Sequence, residues 1–224
     1  MALDYTIWPT VTDVTATLSA ANITLGAGVS ADMKTRALNA AISKITQKTG
    51  REFLATASVT RNYDGNGTGE IIIDDYVSIS DVSFYALPMQ PAVAIANFYQ
   101  VTNAPYAKNR IQIYQGPANS PIGYFGRFPQ GRSNIAVTGI FGWASIPAEI
   151  WEAVCQEAAG RLADQARMTA QGIFTGVKDL DQDFTFSPLQ IKMLAGWQQD
   201  VKDAIKAFKR STRDVLIRET PILI

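Results

Sequence analysis

Four stretches of this 224-residue chain hold residue types that could do chemistry. The first is "DGNGTG", Asp64 to Gly69, whose glycines could expose backbone amides to a phosphate. A phosphate loop needs a helix behind it, with N-terminal amides aimed at the anion. Strand-like "EIIID" follows instead, so the spacing predicts a hairpin turn. The second is "DLDQDF", Asp179 to Phe184, with the alternating carboxylates of a calcium loop. Counted from Asp179, the obligatory glycine is Phe184 and the bidentate glutamate is Gln190, so a solvated acidic linker fits better. The third, "GYFGRFPQGR", sets aromatics among arginines, a mixture on which single-stranded nucleic acid can stack. It lies in a turn region, and nothing around it extends the pattern. The fourth is Cys155, the single cysteine. It falls inside a helical pattern and reads as a small buried hydrophobe rather than a nucleophile.

The chain has no histidine, which removes the commonest general base and the commonest metal ligand. No Ser-His-Asp or Cys-His arrangement can be built, and nothing marks a working carboxylate pair. The residues therefore predict no enzyme, no cofactor and no metal site. Twenty basic residues balance twenty acidic ones, so the basic excess usual for nucleic-acid binding is missing. Charge is uneven locally, with six basic and three acidic residues from Lys202 to Glu219. Hydrophobic residues make up 47% of the chain and charged residues 18%, which suits a folded protein with contact faces for other subunits. No apolar run approaches the length of about 18 residues that spans a bilayer, so no membrane partner is expected. "MALDYTIWPT" lacks the basic and apolar regions of a secretory signal. One unpaired cysteine excludes an intrachain disulfide, and synthesis in a reducing cytoplasm is expected.

The elements that must position these residues follow from periodicity. Residues 1–29, rich in Thr and Val and closed by "LGAGVS", read as an extended N-terminal arm. Ser30 is a candidate N-cap, and Leu38, Ala41, Ile42 and Ile45 recur at helical spacing, which predicts a helix over 31–49 stopped by Gly50. Residues 52–141 alternate β-branched and aromatic residues with polar ones between Gly, Pro and Asn punctuation, the pattern of an antiparallel β insertion. Pro147 opens a second helix over 147–167. A long linker, 168–187, leads to a third helix over 188–208, capped by Ser187 and striped by Leu189, Met193, Trp197, Val201, Ile205 and Phe208. Residues 211–224 form a C-terminal tail. The predicted fold is α+β: one domain over 30–210, a bundle of about three helices with an antiparallel β insertion between the first and second, and extended arms at both ends.

"VTGIFGWASIPAEIWEAV", from Val137, is a joint between insertion and bundle rather than a site. Gly142 lets the chain turn, Phe141 and Trp143 are placed to wedge sheet against helices, and Pro147 starts the helix. The tail carries Val215, Leu216, Ile217, Pro221, Ile222, Leu223 and Ile224, an apolar strip that a chain seldom leaves undocked.

The order of three segments, "TGREF" (Thr49 to Phe53), "TRNYDGNG" (Thr60 to Gly67) and "IAVTGIFGWASIPAEIWEAVCQEAAGRL", resembles the head–tail connector, or adaptor, proteins of tailed double-stranded DNA bacteriophages. The match spans about residues 30–168. The resemblance implies a structural protein of the virion neck, with itself as a partner in a ring, typically of twelve subunits. That ring would sit beneath the portal protein and join it to the stopper or tail, and genomic DNA would pass non-specifically through the channel. Synthesis would be in the bacterial host cytoplasm. On this reading the apolar tail docks on the portal, and Asp179, Asp181 and Asp183 lie near the channel. The alternatives are another neck or tail-completion protein, or a β-type module for sugar or nucleic acid on a helical oligomerisation stem.

Overall fold

The computed structural model describes residues 4–25, 28–84, 93–94, 98–101, 108–113, 127–170 and 187–210. The chain divides into two compact units. One comprises residues 1–50 with 146–209, the other residues 51–145 with Arg210 onward.

The first unit is helical. Its α1 (Val11–Ala20) replaces the extended arm expected at the N-terminus. Thr10 and Asp13 form a reciprocal capping box, each side chain bonding the other's backbone amide, and this offsets the weak helix propensity of a Val/Thr-rich run. The threonine hydroxyls that suggested a strand turn back along the helix, Thr15 Oγ1 donating to the Val11 carbonyl at 2.8 Å and Thr17 Oγ1 to that of Asp13 at 3.0 Å. Val14 and Leu18, four apart, are buried. Helix α2 (Ala31–Thr49) has the expected caps: Ser30 Oγ accepts from the Met33 amide at 3.3 Å, and Gly50 takes the left-handed conformation at φ 66°. Helix α3 (Ala148–Ala170) packs against α1, α2 and α4 (Pro188–Phe208). That central position explains why Ile150, Val154, Ala158, Ala159 and Ala163 are all fully buried, more of the circumference than a one-sided stripe would cover. Ser187 and Gln190 form a second capping box at the start of α4, with Pro188 in the first turn. The stripe read from the sequence buries only toward its end, at Val201 and Phe208; Leu189 is 67% exposed. No helix among the described residues is long and apolar enough to cross a membrane.

The second unit is an antiparallel sheet of β1 (Ser58–Gly65), β2 (Glu70–Phe84), β3 (Val93–Ala94), β4 (Phe98–Val101), β5 (Lys108–Ile113) and β6 (Gly131–Phe141). Its order is β1-β6-β2-β5-β4, with β3 pairing β2. The expected β1–β2 hairpin does not form, because β6 lies between the two strands. The reason is burial. Ile135, Val137 and Phe141 of β6 are fully buried, and a strand that apolar is most stable with neighbours on both sides. The "DGNGT" loop closes on itself instead. Asn66 Oδ1 accepts from the Thr68 amide and hydroxyl at 3.0 and 2.8 Å, while the Gly65 amide donates to Asn134 Oδ1 at 2.8 Å. Strand β2 is long and irregular, its register to β6 shifting near Tyr76 and again near Ile79.

Candidate functional site

Parts of three segments singled out in the sequence, "TGREF", "TRNYDGNG" and "FGW", meet at one corner of the β unit. Strand β2 carries adjacent carboxylates there, Asp74 and Asp75, in an otherwise apolar run. Alternation sends neighbouring side chains to opposite faces of a strand, so each carboxylate gathers its own partners. Asp75 is 3% exposed. Arg51, just after α2, places one guanidinium nitrogen 2.7 and 2.8 Å from its two oxygens, and Trp143 Nε1 donates to Oδ2 at 3.0 Å. The Gly142 amide donates to the Asp75 carbonyl at 2.7 Å. Phe53 lies against Trp143, ring centroids 5.6 Å apart.

Asp74 is shared three ways. Arg61 Nη1 and the Tyr63 hydroxyl each donate to Oδ2 at 2.9 Å, and Arg210 Nη1 donates to Oδ1 at 3.1 Å. Arg61 also reaches Glu52 at 2.9 Å and stacks over the Phe141 ring at 4.4 Å. Burial works against the Arg61 cation, but the hydrogen bonds and charges of Glu52 and Asp74 outweigh it and raise its pKa. Burial, then the Asp74 charge, raises that of the Tyr63 phenol. Three cations (Arg51, Arg61, Arg210) thus face three carboxylates (Glu52, Asp74, Asp75). The arrangement holds a shape.

The residues that the sequence pattern marks as a joint fall as follows. Phe141 is fully buried in the β core, Gly142 turns the chain at φ 96°, and Trp143 is spent on Asp75 and Phe53. All three serve the β unit itself. Pro147 belongs to the helical unit, where its carbonyl accepts from the Ile150 and Trp151 amides at 3.0 and 2.9 Å. Asp179, Asp181, Asp183 and the tail residues Val215, Leu216, Ile217, Pro221, Ile222, Leu223 and Ile224 lie outside the described residues.

The remaining candidates resolve locally. "DGNGTG" runs into β2, as the strand-like sequence after it predicts. In "GYFGRFPQGR" Phe128 is buried in the β core and Arg127 is exposed. Cys155 is buried in α3, where desolvation and then the Asp13 charge push its thiol up to about 12, far from a reactive thiolate. In the helical unit a groove of about 440 Å³ runs between α2, α3 and α4, with Leu194, Trp197 and Val201 among its lining residues. Beside it Glu157 accepts from Lys44 at 2.7 Å and Arg161 at 2.8 Å. Burial alone would raise the Glu157 carboxyl, but these two cations together outweigh it and hold it low. Among the described residues no group of His, Cys, Asp and Glu could hold a metal ion.

Sequence reasoning missed Asp74, Asp75, Arg61 and Arg210. The available signal was the doublet in "EIIIDDYVSI": aspartate is disfavoured in strands, so two together inside a β-branched run call for cationic partners.

No family model matches the chain, and no curated protein matches it. Among solved structures, one from the neck of an empty GTA particle computed with C6 symmetry aligns at 13% identity, covering 94% of this chain and 96% of that one, TM-score 0.48. One from the neck of a native GTA particle computed with C12 symmetry aligns at 14% identity, covering 94% and 96%, TM-score 0.45. A third, from the virion of a native gene transfer agent particle, aligns at 16% identity, covering 93% and 95%, TM-score 0.47. These three come from two particle necks and a virion.

Proposed function

We propose that the chain is a structural neck protein: a head–tail connector whose copies form a ring beneath a portal and join it to the stopper or tail. One observation carries the reading. The residues that resemble the connector family, Arg51 and Phe53 of "TGREF", Tyr63 of "TRNYDGNG" and Phe141, Gly142 and Trp143 of "FGW", are spent on one another and on Asp74 and Asp75. They build a braced corner of the β unit, which is what a load-carrying subunit needs. A balanced net charge fits a channel that lets DNA pass without retaining it. In this reading Asp179, Asp181 and Asp183 face the channel, and the apolar residues from Val215 to Ile224 dock on the portal.

Electron microscopy of the full chain mixed with the portal of its own virion tests the proposal. Rings seated on the portal are expected. Titratable binding of a sugar or a single strand, with no ring, would overturn it in favour of a β-type binding module. Deletion of residues 211–224 tests the tail: capture by the portal should be lost, and unchanged attachment would sink that assignment.

A further inference from the structure

The groove between α2, α3 and α4 combines apolar surface with unspent positive charge. Leu194 and Trp197 line it and stay partly exposed, and Gly160 leaves the α3 wall bare, with open space where a Cβ would stand. Four cations line it, Lys44, Lys48, Arg161 and Lys202, against two carboxylates, Glu157 and Asp164. Glu157 engages Lys44 and Arg161, while Lys48 and Lys202 pair with no carboxylate among the described residues.

The other side of α3 has the opposite character. Helix positions two apart are turned about 200° from one another. Glu157 lines the groove, so Cys155 faces away from it, toward Asp13 and Thr17 of α1 and beside Glu152. Trp151, one turn before Cys155, shares that side, and the chain ahead of α1 is strapped to it. The Tyr5 ring meets the Trp151 ring edge-on at 5.9 Å, and the Ile146 amide donates to the Tyr5 carbonyl at 2.7 Å. On this strap Ile7 stands 51% exposed, with exposed Asp4 three residues before it. Neither residues 4–33 nor residues 146–156 contain a lysine or arginine.

We infer that these two faces are the halves of one contact between copies of the chain: the strap bearing Ile7 enters the groove of the next copy, with Asp4 and Glu152 opposite Lys48 and Lys202. The two faces differ and lie on opposite sides of α3, so the contact is heterologous, and such a contact repeated by rotation closes a ring. The inference rests on the ring reading above and names the surface that would build the ring. Charge sets the direction of approach, and burial of Ile7 against Leu194 and Trp197 removes apolar area from water.

Disulfide trapping and charge reversal test it on the full chain mixed with its portal. Ile7→Cys and Gln198→Cys, the second an exposed position on the groove, should link copies into a ladder of oligomers when one chain carries both. Native Cys155 is buried and takes no part. Asp4→Lys with Glu152→Lys, or Lys48→Glu with Lys202→Glu, should each weaken self-association at least about tenfold by setting like charges together. All four positions are exposed, so the thermal midpoint should hold. The chain with all four changes should recover rings, which a folding defect could not do. Parent rings with no ladder and no effect of either reversal would overturn the contact and leave the connector reading standing. A ladder without rings on the portal would do the reverse, and neither ladder nor ring would overturn both.

Discussion

Each unit buries a carboxylate between two nitrogen donors, and the two settings differ in kind. Asp75 of the β unit has a side chain 2% exposed, and its partner Arg51 is 12% exposed. Glu157 of the helical unit is 11% exposed, but Lys44 and Arg161 are 39% and 40% exposed. Water screens the second cluster and hardly reaches the first. The helical unit would keep its shape without its charges, because α3 is packed on α1, α2 and α4 by alanines and branched aliphatics. At the corner of the β unit, by contrast, the ion pairs and the turn between them hold the shape.

Substitutions should expose that contrast. The largest effect is expected at Gly142. Its φ of 96° is unfavourable for any other residue, and an added Cβ would stand 2.0 Å from the Leu54 carbonyl oxygen. Backbone meets backbone there, so no side chain can yield. Gly142→Ala should cost more than about 4 kcal/mol, enough to unfold the β unit or abolish soluble expression. A cooperative urea transition near that of the parent would show that the turn is softer than its geometry implies.

Next comes the buried pair. Arg51→Met leaves Asp75 with Trp143 Nε1 as its remaining side-chain donor among the hydrogen bonds described above. Removing one partner of a buried ion pair costs about 3–5 kcal/mol, because the survivor is left desolvated. The double variant Arg51→Met with Asp75→Asn should recover part of that loss. If urea unfolding shows the single and double variants equally stable, the charge on Asp75 is not what makes Arg51 necessary.

A smaller effect, with a pH signature, is expected at the exposed cluster. Lys44→Met leaves Glu157 with Arg161, so at neutral pH the loss should be about 1 kcal/mol or less. The Glu157 carboxyl is depressed below its ordinary value of 4.5 in the folded chain. A depressed carboxyl contributes stability that is fully present above its unfolded value and lost as pH falls through its folded value. The gap between parent and variant should therefore be open at neutral pH and close under acid. Denaturation midpoints that stay equally separated from neutral to strongly acidic pH would assign the loss to packing of the lysine stem.

The same contrast explains what was legible in the sequence. The bounds of α2 and α4 follow from local signals, the Ser30 and Gly50 caps and the Ser187, Pro188 and Gln190 start, and they stand where those signals put them. Val and Thr favour strands, so the residues of α1 point to an arm, and the opposing local signal is the capping box of Thr10 with Asp13. Strand order was beyond reach: nothing local says that β6, read last, separates β1 from β2, since that choice is made by burial across the whole sheet. The corner was half legible. Its glycine and aromatics stood out, while the two aspartates that organise them, and Arg210 far along the chain, converge only in three dimensions.

The smallest expected effect has the opposite sign and returns to the groove between α2, α3 and α4. Gly160 lies inside α3 on its wall, and an added Cβ there would meet nothing within 4 Å. The backbone is already helical, so the substitution brings no strain and restricts the unfolded chain. Gly160→Ala should stabilise the protein by about 0.5–1 kcal/mol, as mid-helix glycine replacements do. Thermal unfolding of this variant beside Gly142→Ala compares two glycines held for different reasons, one by a turn and a close backbone, the other by neither. A destabilised Gly160→Ala would mean that α3 needs the missing side chain at that point, and would direct attention to what enters the groove.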